Sequence, residues 1–472
     1  MTPSTPSRWA GTTGRMRQAY LKTRRKDDAA AQEDDAEEMV ARAIIDLAMR
    51  IGETAMLSGA TAAQSARLVG RVTRAFHLPA HVDATYTRIV VSYQPSFAGD
   101  PITAMRVVPA GMIDYHRLGE LESLVESVQA GHLEVGEARV RLSEVRGRAS
   151  QYRTWVMVLA SGVMGGAFAA ILGGSVGDQM VAALAAALVD LVRRPLMKFG
   201  TTPFFAQVVG AAVPTAIALG LMSARSHWPN PVWESMTPGI IVAAGMASML
   251  AGIGLMAAAS EAIEGYYLTA NARTFEVFTM TGAIVLGLLV TLWLGLRVGV
   301  QGYLTPVAGF TTALTHQLFA AGVIALAFGV GCHMGPRASV VAFWLGVLLW
   351  GGYSAARTLT DSHPAASGVA AVLIGLISQL TGRKLAIPVV AMVTIGVSPL
   401  MPSLLLYRGV FTAVTGLGPD PAGTLLLRCA MTALALAVGT SFGTAVALAL
   451  QRLGRLRRMR LRHRAVATGT SA

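Results

Sequence analysis

The sequence predicts a mostly α-helical membrane protein: ten transmembrane helices arranged as two inverted five-helix repeats, preceded by a small soluble α+β domain. Three observations carry this expectation. The 472 residues are 53% hydrophobic and only 14% charged, a composition suited to lipid as the main solvent. The segment 1–153 holds 18 of the 26 acidic residues, leaving Asp178, Asp190, Glu234, Glu261, Glu264, Glu276, Asp361 and Asp420 for the rest. Long apolar runs then recur from Trp155 onward, each near the roughly 20 residues that a helix needs to cross a bilayer core.

The first 37 residues read as a disordered polar tail, basic and then acidic. They contain no 7–15-residue apolar core of a cleavable secretion signal, so an internal span must drive insertion. The segment 38–150 reads as a cytoplasmic α+β domain. In 39–58 the residues Val40, Ile44, Leu47, Ile51 and Ala55 recur at helical spacing, and Thr61 caps a second helix reaching Phe76. Two strands follow, His81 to Tyr93 and Ile102 to Val108, separated by turn material at 94–101. Polar helices at 114–129 and 134–148 close the domain.

The expected spans are 155–173, 178–193, 204–223, 238–258 and 276–296 in a first repeat (151–300), and 316–334, 338–356, 365–381, 385–407 and 428–450 in a second (301–451). A basic tail, 452–472, ends the chain. With a cytoplasmic N-terminus, the inner side carries 19 Lys and Arg residues, including Arg273, Arg383 and Lys384, whereas the outer side carries Arg225, Arg297, Arg357, Arg408 and Arg428. That bias places both termini in the cytoplasm and requires an even number of crossings. Trp228, Trp233 and Tyr303 fall in outer loops as interfacial anchors. A five-span unit placed twice in tandem must be inverted, and inverted repeats are a transporter architecture with the site near the midplane where helices break.

The net charge of +13 follows these topology signals. The basic residues are not interleaved with exposed aromatics, so nucleic acid is not an expected partner. Cys332 and Cys429 are the only cysteines and lie in apolar segments as packing residues. His316, His333 and His363 share no metal-ligand spacing, and no metal or cofactor is assigned. A glycine-rich phosphate loop is missing, which argues against an ATP-driven pump.

The stretch LAGIGLMAAASEAIEGYYLTANARTFEV, 250–277, resembles the Pro-Gly…Asp…Gly…Arg…Glu pattern of the threonine/serine exporters, with Gly252, Glu261, Gly265, Arg273 and Glu276 in matching places. Ala251 stands where that pattern has Pro, and Glu261 where it has Asp. SPLMPSLLLYRG, 398–409, resembles the companion pattern, with Ser403 replacing a Gly after Pro402, and AMRIGETAMLSGAT, 48–61, resembles the start of the family's soluble domain. The resemblance implies a cytoplasmic α+β domain joined to two halves of five helices. It also implies secondary export of small polar amino acids across the cell (inner) membrane, driven by protons.

Glu261, Glu264, Arg273 and Glu276 are candidates for binding the substrate ammonium or a coupling proton, because charges near a span cost energy and are kept for a partner or a function. The alternative is a solvated cytoplasmic loop, with an ion pair between Arg273 and Glu276. Pro399 and Pro402 free backbone carbonyls inside a span, either as ligands or as a packing kink. Arg408 either attracts the substrate carboxylate or snorkels to the interface. Asp190 pairs locally with Arg193 and Arg194, and Asp178 caps a helix. The expected partners are thus the amino acid, protons and membrane lipid; a homo-oligomer is admitted but not specified. A membrane-anchored hydrolase built on Ser58, Asp83, Asp100, Asp114, His77, His81 and His116 is the alternative reading, although no nucleophile elbow or metal motif accompanies those residues.

Overall fold

A computed structural model describes residues 37–94, 100–109, 111–227, 230, 234–249, 252–300, 313–416 and 420–467. Most of the expected polar tail, the anchors Trp228, Trp233 and Tyr303, and the Pro-to-Ala difference at 251 lie outside them.

The N-terminal unit comprises α1 (37–57), α2 (Ala62–Ala75), a three-stranded antiparallel sheet, α3 (Tyr115–Gln129) and α4 (Val135–Gly147). Its caps follow the sequence. Thr61 Oγ1 accepts from the Gln64 amide, Asp114 accepts from the Arg117 amide, and Glu134 forms a capping box with Glu137, each satisfying amides that the first helical turn leaves orphaned. Ile44, Leu47, Ile51 and Ala55 are buried against Leu68, Val69, Ile89 and Val91, whereas Val40 is exposed. The expected strand over 81–93 is instead a hairpin, β1 (His81–Ala84) and β2 (Arg88–Tyr93), with β3 (Ile102–Val107) on the other side of β2. The chain reverses at 85–87, where the Thr85 amide donates to the Arg88 carbonyl at 2.8 Å, and this carries Tyr86 to the hairpin tip.

The remainder is helical: α5 (Thr154–Ile171), α6 (Val176–Lys198), α7 (Pro203–His227), α8 (Pro238–Gly245), α9 (Gly252–Ile263), α10 (Tyr267–Arg297), α11 (Leu314–Gly331), α12 (Pro336–Arg357), α13 (His363–Leu385), α14 (Val389–Gly396), α15 (Ser403–Thr415) and α16 (Ala422–Ala467). Among the described residues seven helices are long and apolar enough to cross a membrane, and nine spans result if each of two bent pairs counts once. The tenth expected span is α6, whose Asp178, Asp190, Arg193, Arg194 and Lys198 make it too polar for that measure. Asp178 is not its N-cap. Ser175 is, and Asp178 closes the capping box while its other oxygen accepts from the Thr237 amide at 2.7 Å.

The spans expected as continuous at 238–258 and 385–407 are broken. A one-turn 3₁₀ segment, Ala247–Met249, follows α8, and another, Ser398–Leu400, follows α14; the flanking helices are bent by 50° and 41°. Pro399 and Pro402 supply the second break by removing amide donors. The fifth expected span begins earlier than its hydropathy suggests, so Arg273 and Glu276 lie inside α10 and not in a loop.

Close helix contacts recur in the two halves. Gly162 packs on Ala183 and Ala187, and Gly322 on Phe343 and Val347; Gly245 packs on Ala185 and Pro214, and Gly396 on Leu345 and Ile374; Gly287 packs on Val208 and Ala211, and Gly439 on Gly368 and Ala371. In every case the partners in the second half lie 160 residues after those in the first. Small residues at these crossings let backbones approach where lipid offers no hydrophobic drive to association.

Candidate functional site

The two breaks meet each other. A Cβ on Gly252 would come within 2.9 Å of Met401 Cβ and 3.0 Å of Ser403 Cβ, so the start of α9 is pressed against the residues that open α15. Beside this crossing lies a cavity of about 630 Å³, bounded by α5, α12, α13, the second break and α16, within the size range of small-molecule sites. Its walls are largely apolar, with Phe168, Leu172, Leu404 and Leu405 among them, and Pro399 and Pro402 lie on its lining. The Pro402 carbonyl accepts from the buried Cys429 thiol at 3.3 Å.

Polar groups converge on the same space. Arg357, Arg408, Arg428 and Asp420 line it, with Tyr353, His363, Ser367 and Gln317. Among the described residues Asp420 is the only carboxylate there beside three guanidiniums, and its contact with Arg408 Nη2 is long, at 3.4 Å. The Arg408 Nε is enclosed and has no hydrogen-bond partner among the described residues. Tyr353 Oη and His363 Nδ1 are 2.5 Å apart. An excess of fixed positive charge next to one carboxylate, in a mostly apolar cleft, is suited to a small zwitterion whose own carboxylate completes the pairing.

The expected carboxylate cluster lies elsewhere, against the N-terminal unit. Glu261 is 1% exposed; one oxygen accepts from Arg273 Nε at 2.9 Å and the other from the Ala62 amide, the first of α2, at 3.3 Å. Arg273 therefore pairs with Glu261 and not, as its spacing suggested, with Glu276. Glu276 instead accepts from Tyr86 Oη at 2.5 Å, Arg273 sits 5.1 Å from the Tyr86 ring centroid, and Glu264 pairs with Arg67 at 3.1 Å. Burial and the bond to Glu276 push the Tyr86 hydroxyl up to about 12. The second half is held as well: the Tyr115 amide donates to the Cys332 carbonyl, Tyr152 Oη to the Met334 carbonyl, and Ser150 Oγ lies 3.0 Å from His333 Nδ1. The N-terminal unit thus grips both halves at once.

Of the other candidates, Asp190 forms the expected local pair, 2.7 Å from Arg194 Nε, away from the cavity. Pro399, Pro402 and Arg408 are brought together, whereas Glu261, Glu264, Arg273 and Glu276 form a separate cluster. The sequence reading missed Arg357, Asp420 and Arg428 as site residues: of the external arginines it took Arg408 alone as a candidate and the others as topology signals. The signal was present: arginines are disfavoured outside, and three of the five expected there line one cavity.

Broken apolar helices around a charged cleft fit a multi-pass membrane transporter. A family model described as "Putative threonine/serine exporter" matches residues 46–295, and one described as "Threonine/Serine exporter, ThrE" matches 317–446. The chain belongs to the threonine/serine exporter family. It is 29% identical over 415 residues to a "Probable threonine/serine exporter" of Mycobacterium tuberculosis (strain ATCC 25618 / H37Rv), covering 85% of this chain and 76% of the relative. It is 29% identical over 422 residues to a "Threonine/serine exporter" of Corynebacterium glutamicum, covering 88% and 83%. No solved structure matches.

Proposed function

We propose that this amino-acid exporter carries threonine and serine out of the cell by secondary transport, through ten crossings in two inverted halves with both termini cytoplasmic. The observation that carries the reading is the cavity at the second break, where three arginines and one carboxylate converge. The substrate carboxylate binds Arg408, whose Nε is unpartnered, and displaces the long Arg408–Asp420 contact. Asp420 then receives the ammonium. Free backbone oxygens at a broken helix can hold the hydroxyl, as they can only where a cavity shields them from lipid. The recurrence of contacts at a fixed spacing supports the two-halves arrangement, and an odd number of crossings per half inverts the second.

The energy source in this reading is the proton gradient, with Glu261 as the coupling carboxylate. It is enclosed, sits on one of the two bent elements, and has both oxygens committed to donors. A proton on Glu261 removes the charge that Arg273 pairs with and weakens acceptance from Ala62, so protonation and release of the N-terminal unit are linked. Purified protein in liposomes, given internal threonine and an imposed pH gradient, tests the whole reading. Threonine efflux that accelerates with proton entry is the expected result, and efflux indifferent to the gradient would remove the coupling.

A further inference from the structure

The helix caps set the correspondence between the halves. Gly335, which caps α12, lies 160 residues after Ser175, which caps α6. Ser362, which caps α13, lies 160 after Thr202, whose carbonyl accepts the first bond of α7. At that spacing Tyr353 and Ser367, on the wall of the open cavity, correspond to Arg193 and Gln207. These two residues meet at the first break. Gln207 Nε2 donates to the Met249 carbonyl at 2.9 Å, and the Arg193 stem and the Met249 methyl both reach 2.8 Å from where a Gly210 Cβ would stand. The space that is open at one break is filled at the other.

The filled side is chemically unfinished. Arg193 Nε, Gln207 Oε1 and the Ser248 hydroxyl are enclosed with no hydrogen-bond partner among the described residues. Burying such groups unpaired costs free energy, so a cluster of them calls for a missing partner. Asp190 accepts from Arg194 Nε at 2.7 Å and reaches Arg193 only through its charge.

We propose that Arg193, Gln207 and the Ser248–Met249 segment form an inner loading site for the same zwitterionic amino acid, closed in this structure. Resting on the exporter reading, it adds where the substrate binds before it crosses. A guanidinium N–H donates to the carboxylate, and the free Gln207 oxygen accepts from the ammonium. The counterpart of Arg408 at the break spacing of 151 residues, Gly245 to Gly396, is Ala257. The inner side has no arginine there, and Arg193 supplies the cation from a different helix.

Side-resolved transport tests this. Inverted membrane vesicles present the inner face to added threonine, and right-side-out vesicles present the outer face. Arg193→Gln and Gln207→Leu should each raise the half-saturating threonine concentration at the inner face roughly tenfold or more, the scale of a lost charge-assisted bond, while outer-face exchange changes by less than about twofold. Gln207→Leu removes no charge, so it keeps the test open if Arg193→Gln inserts poorly. Unchanged inner-face saturation at normal abundance, or equal rises at both faces, would overturn the site. Wild-type vesicles that move no threonine at either face would instead sink the exporter reading, and the ligand assigned here with it.

Discussion

Replacing Glu261 with Gln separates proton coupling from mere packing. The wild-type carboxylate is 1% exposed, 2.9 Å from Arg273 Nε and 3.3 Å from the Ala62 amide. Gln keeps the shape and one acceptor oxygen but turns an amide NH2 toward the other donor and leaves Arg273 without its counter-charge. Breaking a fully buried pair costs about 3–5 kcal/mol. Here Arg273 keeps 22% of its side-chain exposure and the Tyr86 ring, so a discounted cost of about 1–2 kcal/mol is appropriate. With about 1.4 kcal/mol per factor of ten, the N-terminal unit should release from α9 roughly ten times more often. Hydrogen exchange at the Ala62 amide reads this directly and should accelerate by about that factor. In liposomes the variant should lose uphill export while retaining downhill exchange of labelled threonine. Uphill export at the wild-type rate, at equal membrane abundance, would refute Glu261 as the coupling group.

Three further outcomes follow from the same contacts. Arg408→Gln should weaken threonine binding from the outer face roughly tenfold, since it removes the guanidinium whose Nε has no partner among the described residues, and saturation of exchange in right-side-out vesicles measures it. Burial holds the His333 ring below its ordinary 6.5, with Asp114 opposing and Arg194 and Arg117 assisting. The docked state therefore binds fewer protons than the released one; docking is strongest above 6.5, weakens as pH falls below it, and stays weakened once the docked ring is protonated. Protection of the Tyr115 amide, which donates to the Cys332 carbonyl, taken as its exchange rate relative to the intrinsic rate at each pH, should thus fall between pH 7 and 5, and His333→Gln should flatten that dependence. Reporter fusions at Gly174, Asn230, Asp361 and Asp420 should all read external, and a cytoplasmic reading at Asp361 would break the ten-span topology.

The parts of this protein that sequence revealed are those written in local pattern. Thr61 sits where a cap was expected, and the helices expected to open at 114 and 134 are capped by Asp114 and Glu134, because capping is a matter of a few adjacent residues. Span positions follow from run length and polarity. The breaks were only half legible: Pro399 and Pro402 announced the second, but the first has no proline among its described residues and reads as an unbroken apolar run. Arg273 misled because its nearest acid in sequence, Glu276, is claimed by a tyrosine 190 residues away. The cavity was hidden for the same reason, since Arg357, Arg408 and Arg428 converge only after three separate helices pack. A hairpin inside 81–93 was masked by β-branched residues that favour strand throughout.

The departure at Ser403 from the family's glycine makes sense at the crossing of the breaks, and that explanation can be tested. Ser403 Oγ lies 3.2 Å from where a Gly252 Cβ would stand, and Ser403 Cβ lies 3.0 Å from it. The hydroxymethyl at 403 is therefore admitted because 252 has no side chain. Gly252→Ala puts a methyl group into that contact and should cost about 1–3 kcal/mol by overpacking, lowering the thermal midpoint of the detergent-solubilised protein. Ser403→Gly alone should cost less, since it removes atoms from a tight spot, although it adds backbone freedom at the start of α15. Combined, the two changes should recover part of the loss, with a coupling of about 0.5–3 kcal/mol typical of residues in direct contact. Met401 Cβ, at 2.9 Å, remains in the way and limits the rescue. Strict additivity of the two changes would mean that the breaks do not touch through these residues, and a double variant less stable than Gly252→Ala would show that Ser403 is kept for its hydroxyl.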